Sequence, residues 1–306
     1  MMALSRISWL VAGITLWVPS RGFSQGQAQN ADSLRTYFTP ENVLRFADFL
    51  FDQGDYERAA CEYERYRLSG WQEKSDYVAF QLGRCELRMG RPERAAAWFL
   101  EAMEATHRGS LADSARFGYL CARMRGDKDL SFPPVALHHR EKIGDGALKC
   151  RASLLVALYY LDRGQWQEAR EAALQAEGIC GNGVASESLA RILELAHRGE
   201  APALKSPELA AALSLLVPGA GKLYVGRRGD ALYSFLVVTT SSWLAYEGFH
   251  QQGRKSLKGW IFGGATVFFH FGNVYGSAVA ARVHNEGFCE ELRRAIRAEV
   301  DRHCRF

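Results

Sequence analysis

The spacing of hydrophobic positions changes along the chain and divides it into three parts. Residues 7–18 form a short apolar run, residues 41–197 repeat apolar positions at helical spacing, and residues 229–249 and 260–281 form two long apolar runs. A three- to four-residue repeat places apolar side chains on one face of an α-helix, which packs that face against a neighbour. The pattern therefore predicts an all-α fold.

The two long apolar runs have the length of membrane spans. A helix needs about 20 mostly apolar residues to cross the hydrocarbon core of a bilayer. The first run carries Asp230 and Glu247 as its only charges, both near its ends, and the second has no Asp, Glu, Lys or Arg. With the short polar segment at residues 250–259 between them, they predict a two-helix membrane hairpin over residues 206–285.

The N-terminus has the composition of a secretory signal. Arg6 precedes the short apolar run, and the small residues Gly22 and Ser24 follow it at positions that suit a cleavage site. An apolar run of this length is too short to span a membrane. We expect a signal peptide over residues 1–24 and a linker over residues 25–40, with an uncleaved anchor as the alternative.

Composition and charge narrow the classes of ligand. The 306-residue chain is long enough for two domains, and its net charge is only +4, with basic residues dispersed rather than gathered in a stripe. Seven cysteines occur without a C-x-x-C pair, the close ligand spacing that zinc sites usually have. We expect no nucleic-acid partner, no metal and no cofactor.

An internal repeat runs through the helical region. The segment Gly54-Asp-Tyr-Glu-Arg-Ala59 is echoed by Gly90-Arg-Pro-Glu-Arg-Ala95 and by Gly164-Gln-Trp-Gln-Glu-Ala169. Gly83 and Gly118 fill a matching small position inside helices whose surroundings also correspond. Two closely packed antiparallel helices need small residues where they cross, an aromatic side chain beside the crossing, and a glycine at the left-handed turn between them.

These residues resemble the tetratricopeptide repeat, a helix-turn-helix unit of about 34 residues. The resemblance covers about residues 41–177, and a closing helix at 186–197 completes a repeat domain over 41–200. The third unit departs from the pattern at Leu130-Ser-Phe-Pro-Pro134, because consecutive prolines do not fit inside a helix.

The resemblance implies a concave face, lined by the first helix of each unit, that binds protein or peptide partners. The matching groove positions are Asp48, Phe51, Tyr77, Phe80, Arg84, Tyr119, Arg151 and Leu158. Aromatic residues at helical spacing belong to a core more often than to a contact surface. Arg84 and Arg151 are the better candidates because a charged side chain is rarely part of a core.

The cysteines of the helical region have two interpretations. A free cysteine is commonly a small buried hydrophobe. If the signal peptide exports the chain, thiols can pair instead, and Cys150 and Cys180 flank one helical hairpin that a disulfide would close.

A glycine-rich turn begins the hairpin domain. The cluster at Gly219-Ala-Gly-Lys222 lacks the earlier glycine and the following Ser or Thr of a phosphate-binding loop, so we reject that interpretation. The longer stretch Pro218-Gly-Ala-Gly-Lys-Leu-Tyr-Val-Gly226 resembles the P-G-x-G-x-x-Y-x-G opening of small bacterial two-transmembrane-helix domains. Those domains often carry a second signature, similar to Asn273-Val-Tyr-Gly276 in this chain. The resemblance implies an architecture without an established activity. The motif positions are Pro218, Gly219, Gly221, Tyr224 and Gly226.

Small and polar residues mark one side of the second span. Gly272, Gly276 and Ala280 recur at every fourth residue, a face that lets helix backbones approach closely within the hairpin or in a dimer. Asn273 lies beside this face, and an intramembrane polar residue is either a functional candidate or a satisfied structural group. We favour packing inside the hairpin.

The C-terminal tail predicts an amphipathic helix. Within residues 286–306, Leu292, Ile296 and Val300 recur at four-residue spacing, which favours a helix lying on the membrane or on the repeats. The basic loop containing Arg254 favours a cytoplasmic loop, with both flanks of the hairpin outside.

Together these features predict a scaffold. We expect the repeats to face the periplasm at the inner membrane of a Gram-negative bacterium and to bind partner proteins while the hairpin contacts lipid. The alternative is a small channel or transport subunit in which the hairpin is the working part. An enzymatic function is the weakest hypothesis, because the adjacent pair His138 and His139 has no nucleophile or paired acid at a recognisable spacing.

Overall fold

The computed structural model describes residues 38–106, 109–126, 131–180 and 185–305, so the expected signal peptide and most of the expected linker lie outside the described residues. The all-α prediction is confirmed across the described part, which contains helices and connecting turns without a strand. The helices are α1 (Pro40–Asp52), α2 (Tyr56–Leu68), α3 (Ser75–Arg88), α4 (Pro92–Ala105), α5 (Ser110–Gly126), α6 (Phe132–Glu141), α7 (Gly146–Asp162), α8 (Trp166–Cys180), α9 (Ala185–Glu200), α10 (Pro207–Leu216), α11 (Ala220–Tyr224), α12 (Arg228–Gln252) and α13 (Leu257–His303), with a 3₁₀ turn at Gly253–Lys255.

Helices α1 to α8 form four antiparallel pairs. The turn inside the first, second and fourth pairs contains Gly54, Gly90 and Gly164, each with a left-handed φ of 81°, 73° and 70°. Glycine adopts this conformation without steric cost. Asp55 and Asp145 then begin α2 and α7, because each carboxylate accepts a hydrogen bond from a backbone N–H of the first turn.

One phenylalanine packs the second and third pairs together. The ring of Phe99 in α4 lies against the backbones of α3 and α5. A Cβ atom added at Gly83 or Gly118 would come within 2.8 Å or 2.6 Å of a ring carbon. The two small positions found in the sequence therefore make room for the same aromatic side chain.

The third pair is complete but has a short second helix. Pro133 and Pro134 fall in the first turn of α6, which is 10 residues long. Proline is tolerated there because the first-turn N–H groups have no partner within the helix. The expected interruption by these prolines is therefore a delayed helix start, and residues 127–130 before it lie outside the described residues.

The longest element joins the hairpin region to the repeats. Helix α13 has 47 residues and is about 70 Å long at the usual rise of an α-helix. It continues without a break past residue 285, where the sequence pattern separates the hairpin domain from the tail. Its first half pairs with α12, and its second half returns to the repeats.

Helices α10 and α11 pack against the middle of α13. The Ser214 Oγ lies 2.7 Å from the Ser277 Oγ, and the Gly221 N–H donates to the Ser214 Oγ at 2.9 Å. A side chain at Gly221 would collide with the carbonyl of Ala210, and one at Gly219 with the carbonyl of Ala231. The glycines of the motif thus allow α11 to sit close to its neighbours.

The hairpin predicted from the two apolar runs is present as the antiparallel helices α12 and α13. Within the described ranges, no helix combines the length and the hydropathy required of a membrane span.

Candidate functional site

The first helices of the pairs, α1, α3, α5 and α7, lie side by side and form one face of the array, the inner face. The tail of α13 lies on this face. Leu292, Ile296 and Val300 are buried there, in one hydrophobic cluster with Leu154 and Leu158 of α7. Of the two locations that the amphipathic pattern allows, the structure has the tail on the repeats. Leu158, a predicted groove residue, is therefore fully covered.

Two ion pairs fix the tail along this face. The Arg125 guanidinium of α5 lies 2.6 Å from the Asp301 carboxylate, and the Arg198 guanidinium of α9 lies 3.0 Å from that of Glu291. The carboxylate of each pair is largely exposed, so each pair stabilises the docked tail by less than about 1 kcal/mol. The two ion pairs mainly set the position of the tail along this face, because they hold its opposite ends.

Arg151 caps the end of α13. Its guanidinium donates to the backbone carbonyls of His303 and Arg305, the latter at 2.8 Å, and lies 4.4 Å from the ring centroid of Phe117. The last carbonyls of a helix have no partner within the helix, and a cation near them is favourable. This predicted groove residue is therefore engaged by the chain's own tail.

His303 is the buried titratable group of this contact. Its Nε2 lies 2.8 Å from the Arg151 carbonyl oxygen. Burial lowers the pKa of His303 to about 4, the hydrogen bond to Arg151 opposes that shift, and the Arg151 charge adds to it. The docked tail thus carries a neutral imidazole at neutral pH.

Two thiols meet beneath the tail. Cys121 of α5 and Cys304 at the end of α13 are both buried, and neither forms a disulfide. Burial raises the pKa of the Cys121 thiol well above its ordinary value, and its hydrogen bond with Cys304 adds to the rise. A protonated buried thiol is unreactive, because the thiolate is the nucleophile.

A disulfide joins the first and second helices of the fourth pair. Cys150 and Cys180 are bonded, with Sγ atoms 2.05 Å and Cα atoms 4.7 Å apart. This is the pair that the sequence places at the open ends of one hairpin. A cavity of about 740 Å³ lies between the disulfide and the end of the tail, with Arg302 and Ser188 in its wall.

The other end of the inner face is built around Asp48. The Tyr63 and Tyr77 hydroxyls donate to the Asp48 Oδ1 at 2.5 Å and 2.7 Å, and the Gln81 amide donates to the Tyr77 hydroxyl at 2.6 Å. Burial, with the hydrogen bond to Asp48, raises the pKa of Tyr77 to about 12. Asp48 and Tyr77 therefore connect the first two helix pairs.

Arg84 stands above the aromatic residues of this end. Its guanidinium lies 4.2 Å from the ring centroid of Phe51 and 5.8 Å from that of Phe80, and it donates to the Gln81 Oε1 at 2.8 Å. Phe51 and Phe80 are almost fully buried, whereas Arg84 is half-buried. The two phenylalanines are supporting wall, and the cation is the accessible group.

Tyr119 lies between the two ends. It is largely buried, and its ring centroid is 4.9 Å from that of His139 on α6. His138 beside it is exposed. The predicted groove residues thus fall into an open group around Arg84 and a covered group beneath the tail, with Tyr119 between them.

The hairpin motif lies at the junction with the repeats. The Tyr224 hydroxyl accepts from the Ser206 N–H at 3.3 Å, and the Lys205 Nζ lies 4.8 Å from the Tyr224 ring centroid. The side-chain amide of Asn285 accepts from the Lys205 N–H at 2.8 Å and donates to its carbonyl at 2.9 Å. Gly226 turns the chain with a φ of 91°, two residues after Tyr224.

The predicted packing residues of the second span have separate surroundings. Asn273 and Ala280 are buried, Gly276 lies beside the Lys222 side chain, and a Cβ atom at Gly272 would meet nothing within 4 Å. Only part of this predicted face is therefore used for packing inside the hairpin.

The docked tail contains the residues that sequence reasoning missed. Cys304 and His303 gave no sign of a contact with the repeats, because their partners Cys121 and Arg151 lie more than 150 positions earlier. The covered leucines of α7, opposite the apolar stripe of the tail, were the available signal. The paired helices are compatible with a tetratricopeptide-like array. No protein-family model, curated protein or solved structure matches this chain.

Proposed function

We propose that this chain is a membrane-anchored, tetratricopeptide-like scaffold that holds a protein partner beside a lipid bilayer. The observation that supports this most is the single helix α13. Its C-terminal half belongs to the core of the repeats, and its N-terminal half belongs to a hairpin whose outer surface is apolar. A rigid helix of this kind sets the distance between an anchor and a binding surface.

The apolar surface of the hairpin has the dimensions of a bilayer. Residues 259–281 of α13 contain no Asp, Glu, Lys or Arg and cover about 35 Å of helix. The hydrocarbon core of a bilayer is about 30 Å thick. Soluble surfaces rarely carry a large continuous apolar patch. The apolar surface of α12 and α13 is called the band, and its exposed side chains include Leu232, Phe235, Leu236, Val267, Phe268 and Phe271.

Several hydroxyl groups of α12 and α13 form hydrogen bonds within their own helix, which makes them compatible with a lipid environment. The hydroxyls of Thr239, Ser241, Ser242 and Thr266 each donate to a backbone carbonyl four residues earlier, at 2.6 to 2.8 Å. A hydroxyl satisfied within its own helix leaves no exposed donor for the lipid to accommodate.

Both ends of the band carry residues typical of a membrane interface. Tyr246 and Trp260 are exposed towards the loop, and Tyr233 and Tyr275 are exposed near the opposite end. Trp243 is exposed one turn further from the loop than Tyr246. Tryptophan and tyrosine concentrate at the two interfaces of a bilayer. The aromatic residues therefore favour a bilayer over a second protein as the occupant of this surface.

The orientation follows from charge and disulfide chemistry. Arg254, Lys255 and Lys258 at the loop favour the cytoplasmic side of an inner membrane. The repeats then lie on the opposite side, which is the periplasm in a Gram-negative bacterium. A disulfide such as that between Cys150 and Cys180 persists in that oxidising compartment.

The open end of the inner face suits an acidic partner segment. Arg84 and Arg88 of α3 and Arg123 of α5 bring three cations to the first helices of neighbouring pairs. The nearby carboxylate of Asp48 is already held by two tyrosine hydroxyls. We assign this surface to an extended or helical peptide that carries Asp or Glu, on the basis of charge complementarity.

Flotation with liposomes tests the anchor. The full chain, mixed with vesicles of phosphatidylethanolamine and phosphatidylglycerol, is expected to rise with them through a density gradient. Carboxylates introduced by Phe268→Glu and Phe271→Glu should abolish flotation, since a charge inside the hydrocarbon is costly. Phe49→Glu is the matched control, because Phe49 is an exposed phenylalanine on α1, outside the hairpin. A folded, monodisperse chain that stays in solution without detergent contradicts the anchor.

Site-specific crosslinking tests the binding surface. A photo-crosslinking residue in place of Arg88, in intact membranes, is expected to capture peptides rich in Asp and Glu, and Arg84→Glu in the same background should remove them. The same residue in place of Arg65, on the second helix of the first pair, is the control position. Identical products at both positions, or products unaffected by Arg84→Glu, exclude the proposed surface.

A further inference from the structure

A small cavity lies between α12 and α13, beside Lys222 of α11. Its volume is about 190 Å³. Polar side chains of Lys222, Ser234 and Asn273 form one part of its wall, and Val237 and Phe268 belong to the apolar part. Phe268 is also exposed on the apolar surface of the hairpin, so the apolar side of the cavity opens onto that surface.

Asn273 points to a ligand in this cavity. The side chain is only 5% exposed, and within the described part of the chain neither its amide nitrogen nor its amide oxygen has a hydrogen-bond partner. Buried side-chain amides almost always have partners. The amide therefore offers one donor group and one acceptor to whatever enters the cavity.

Lys222 supplies a positive charge at the same place. Its Nζ donates to the Ser234 Oγ at 2.7 Å, and a lysine ammonium has two further hydrogens to donate. Across the ranges that the structure describes, Lys222 forms no ion pair with a carboxylate. A cation in largely apolar surroundings favours an anionic ligand.

Gly272 keeps the cavity open. A Cβ atom added there would meet no atom within 4 Å, although Gly272 is inside a helix and lines the cavity. A glycine inside a helix is less stable than an alanine. Here its lack of a side chain contributes space rather than close packing.

We infer that this cavity binds the phosphoglycerol head of an anionic phospholipid, with the acyl chains lying along the apolar side formed by Val237 and Phe268. Phosphate oxygens accept from the Lys222 ammonium and the Asn273 amide nitrogen, and a glycerol hydroxyl donates to the Asn273 amide oxygen. The inference rests on the proposed anchor, because the lipid reaches the cavity from the bilayer.

Thermal stability in an uncharged detergent tests the site on the full chain. The probes are dihexanoyl phosphatidylglycerol, dihexanoyl phosphatidylcholine, which has no hydroxyl in its head, and glycerol 1-phosphate, which has the head without acyl chains. Phosphatidylglycerol is expected to raise the melting temperature saturably, at a half-saturating concentration at least tenfold below that of either other probe.

Three variants locate the effect. Gly272→Leu fills the cavity and Lys222→Met removes the charge, so each should raise the half-saturating concentration of phosphatidylglycerol at least tenfold. Lys255→Met is the matched control, since Lys255 is an exposed lysine in the loop, and it should behave as the unsubstituted chain. Circular dichroism confirms that each variant is folded, and two variants with opposite changes in side-chain volume guard against a packing artefact.

The outcomes separate this site from the anchor. Equal effects of the two lipids, or no change in the two cavity variants, overturn the headgroup site. Glycerol 1-phosphate acting as strongly as phosphatidylglycerol overturns the lipid assignment in favour of a soluble phosphate ester. A chain that floats with vesicles but fails these tests has an anchor without the site, whereas selective phosphatidylglycerol binding by a chain that does not float supports the site and removes the anchor.

Discussion

Phe99 shows how a single side chain can set the spacing of helix pairs. Its ring occupies the space above Gly83 and Gly118, so any side chain at either position must displace it. We predict that Gly118→Ala lowers the free energy of unfolding by about 1–3 kcal/mol, as overpacking of a core does. Urea denaturation of the purified chain in detergent measures this difference.

Gly178 provides the control for that substitution. It lies in α8, and a Cβ atom there would meet nothing within 4 Å. Gly178→Ala is expected to raise the free energy of unfolding by up to about 1 kcal/mol, because alanine is the better helix former. Equal effects of the two substitutions would show that propensity, rather than contact with Phe99, decides the result.

Protonation of His303 is expected to weaken the folded state in mild acid. The pKa of His303 is about 4 when folded and 6.5 as the ordinary value, so between these pH values the unfolded chain binds more protons. The stabilisation of the folded state by neutral His303 is complete above pH 6.5. It decreases as the pH falls towards 4 and is lost below pH 4. The loss is on the order of 3 kcal/mol.

Comparison with His303→Gln isolates this contribution. Burial also lowers the pKa of His139 to about 4, so the chain has a second group that weakens folding in acid. The variant should therefore retain part of the decline in unfolding free energy between pH 7.5 and pH 4.5. A decline as steep as that of the unsubstituted chain would place the effect elsewhere.

Residue spacing revealed the crossing glycines but not the polar contacts around them. Gly83 and Gly118 are 35 positions apart, and their close approach to a ring follows from the repeat. The hydrogen bonds from Tyr63 and Tyr77 to Asp48 depend on rotamers and on the angle between pairs, which no spacing encodes. Spacing therefore predicts Asp48 as a groove residue, but it does not show that Asp48 also joins two helix pairs.

Among the elements, the tail of α13 is the one whose release can be observed most directly. We predict that Ile296→Asp detaches it, because a carboxylate would be buried without a partner. Release exposes the thiols of Cys121 and Cys304, which should become reactive towards maleimide. Before release, Cys61 and Cys289 are the exposed free cysteines. Mass spectrometry should then find four labelled sites instead of two.

A substitution on the opposite side of the same helix controls for charge alone. Ala298 is exposed, two positions from Ile296, so Ala298→Asp should leave labelling at Cys61 and Cys289 only. Cys85 lies in the core of the first pairs and should stay protected in both variants. Labelling of Cys85 together with the other thiols would indicate global unfolding rather than release of the tail.

The existence of the tail helix was predictable, whereas its docking site was not. Leu292, Ile296 and Val300 at four-residue spacing require an apolar surface, and a membrane or the repeats would each satisfy that need. The choice depends on the complementary apolar face of α7, which becomes continuous only after the helix pairs have stacked. Periodicity reads one helix at a time and cannot supply that surface.

For the whole molecule, the tail makes the repeats and the hairpin parts of one structure. A domain that ends at residue 200 omits Leu292, Ile296 and Val300 from the cluster in which they are buried. The sequence boundary followed composition, which changes sharply at the hairpin. Composition does not register contacts between segments about 140 positions apart, so the boundary that it gives divides a shared core.

The continuity of α13 predicts a fixed distance between the hairpin loop and the repeats. Spin labels on Cys61 and on Lys255→Cys, with Cys289→Ser to remove the other exposed thiol, should give one narrow distance distribution in detergent. Gly287→Pro should broaden it, because a proline inside a helix removes a hydrogen bond and kinks the chain at a cost of about 3 kcal/mol. Gly287→Ala is the control: a Cβ atom there meets nothing within 4 Å, so the narrow distribution should remain. A broad distribution in the parent chain would mean that the repeats move independently of the hairpin, and the proposed scaffold would then lack a defined height above the proposed membrane anchor.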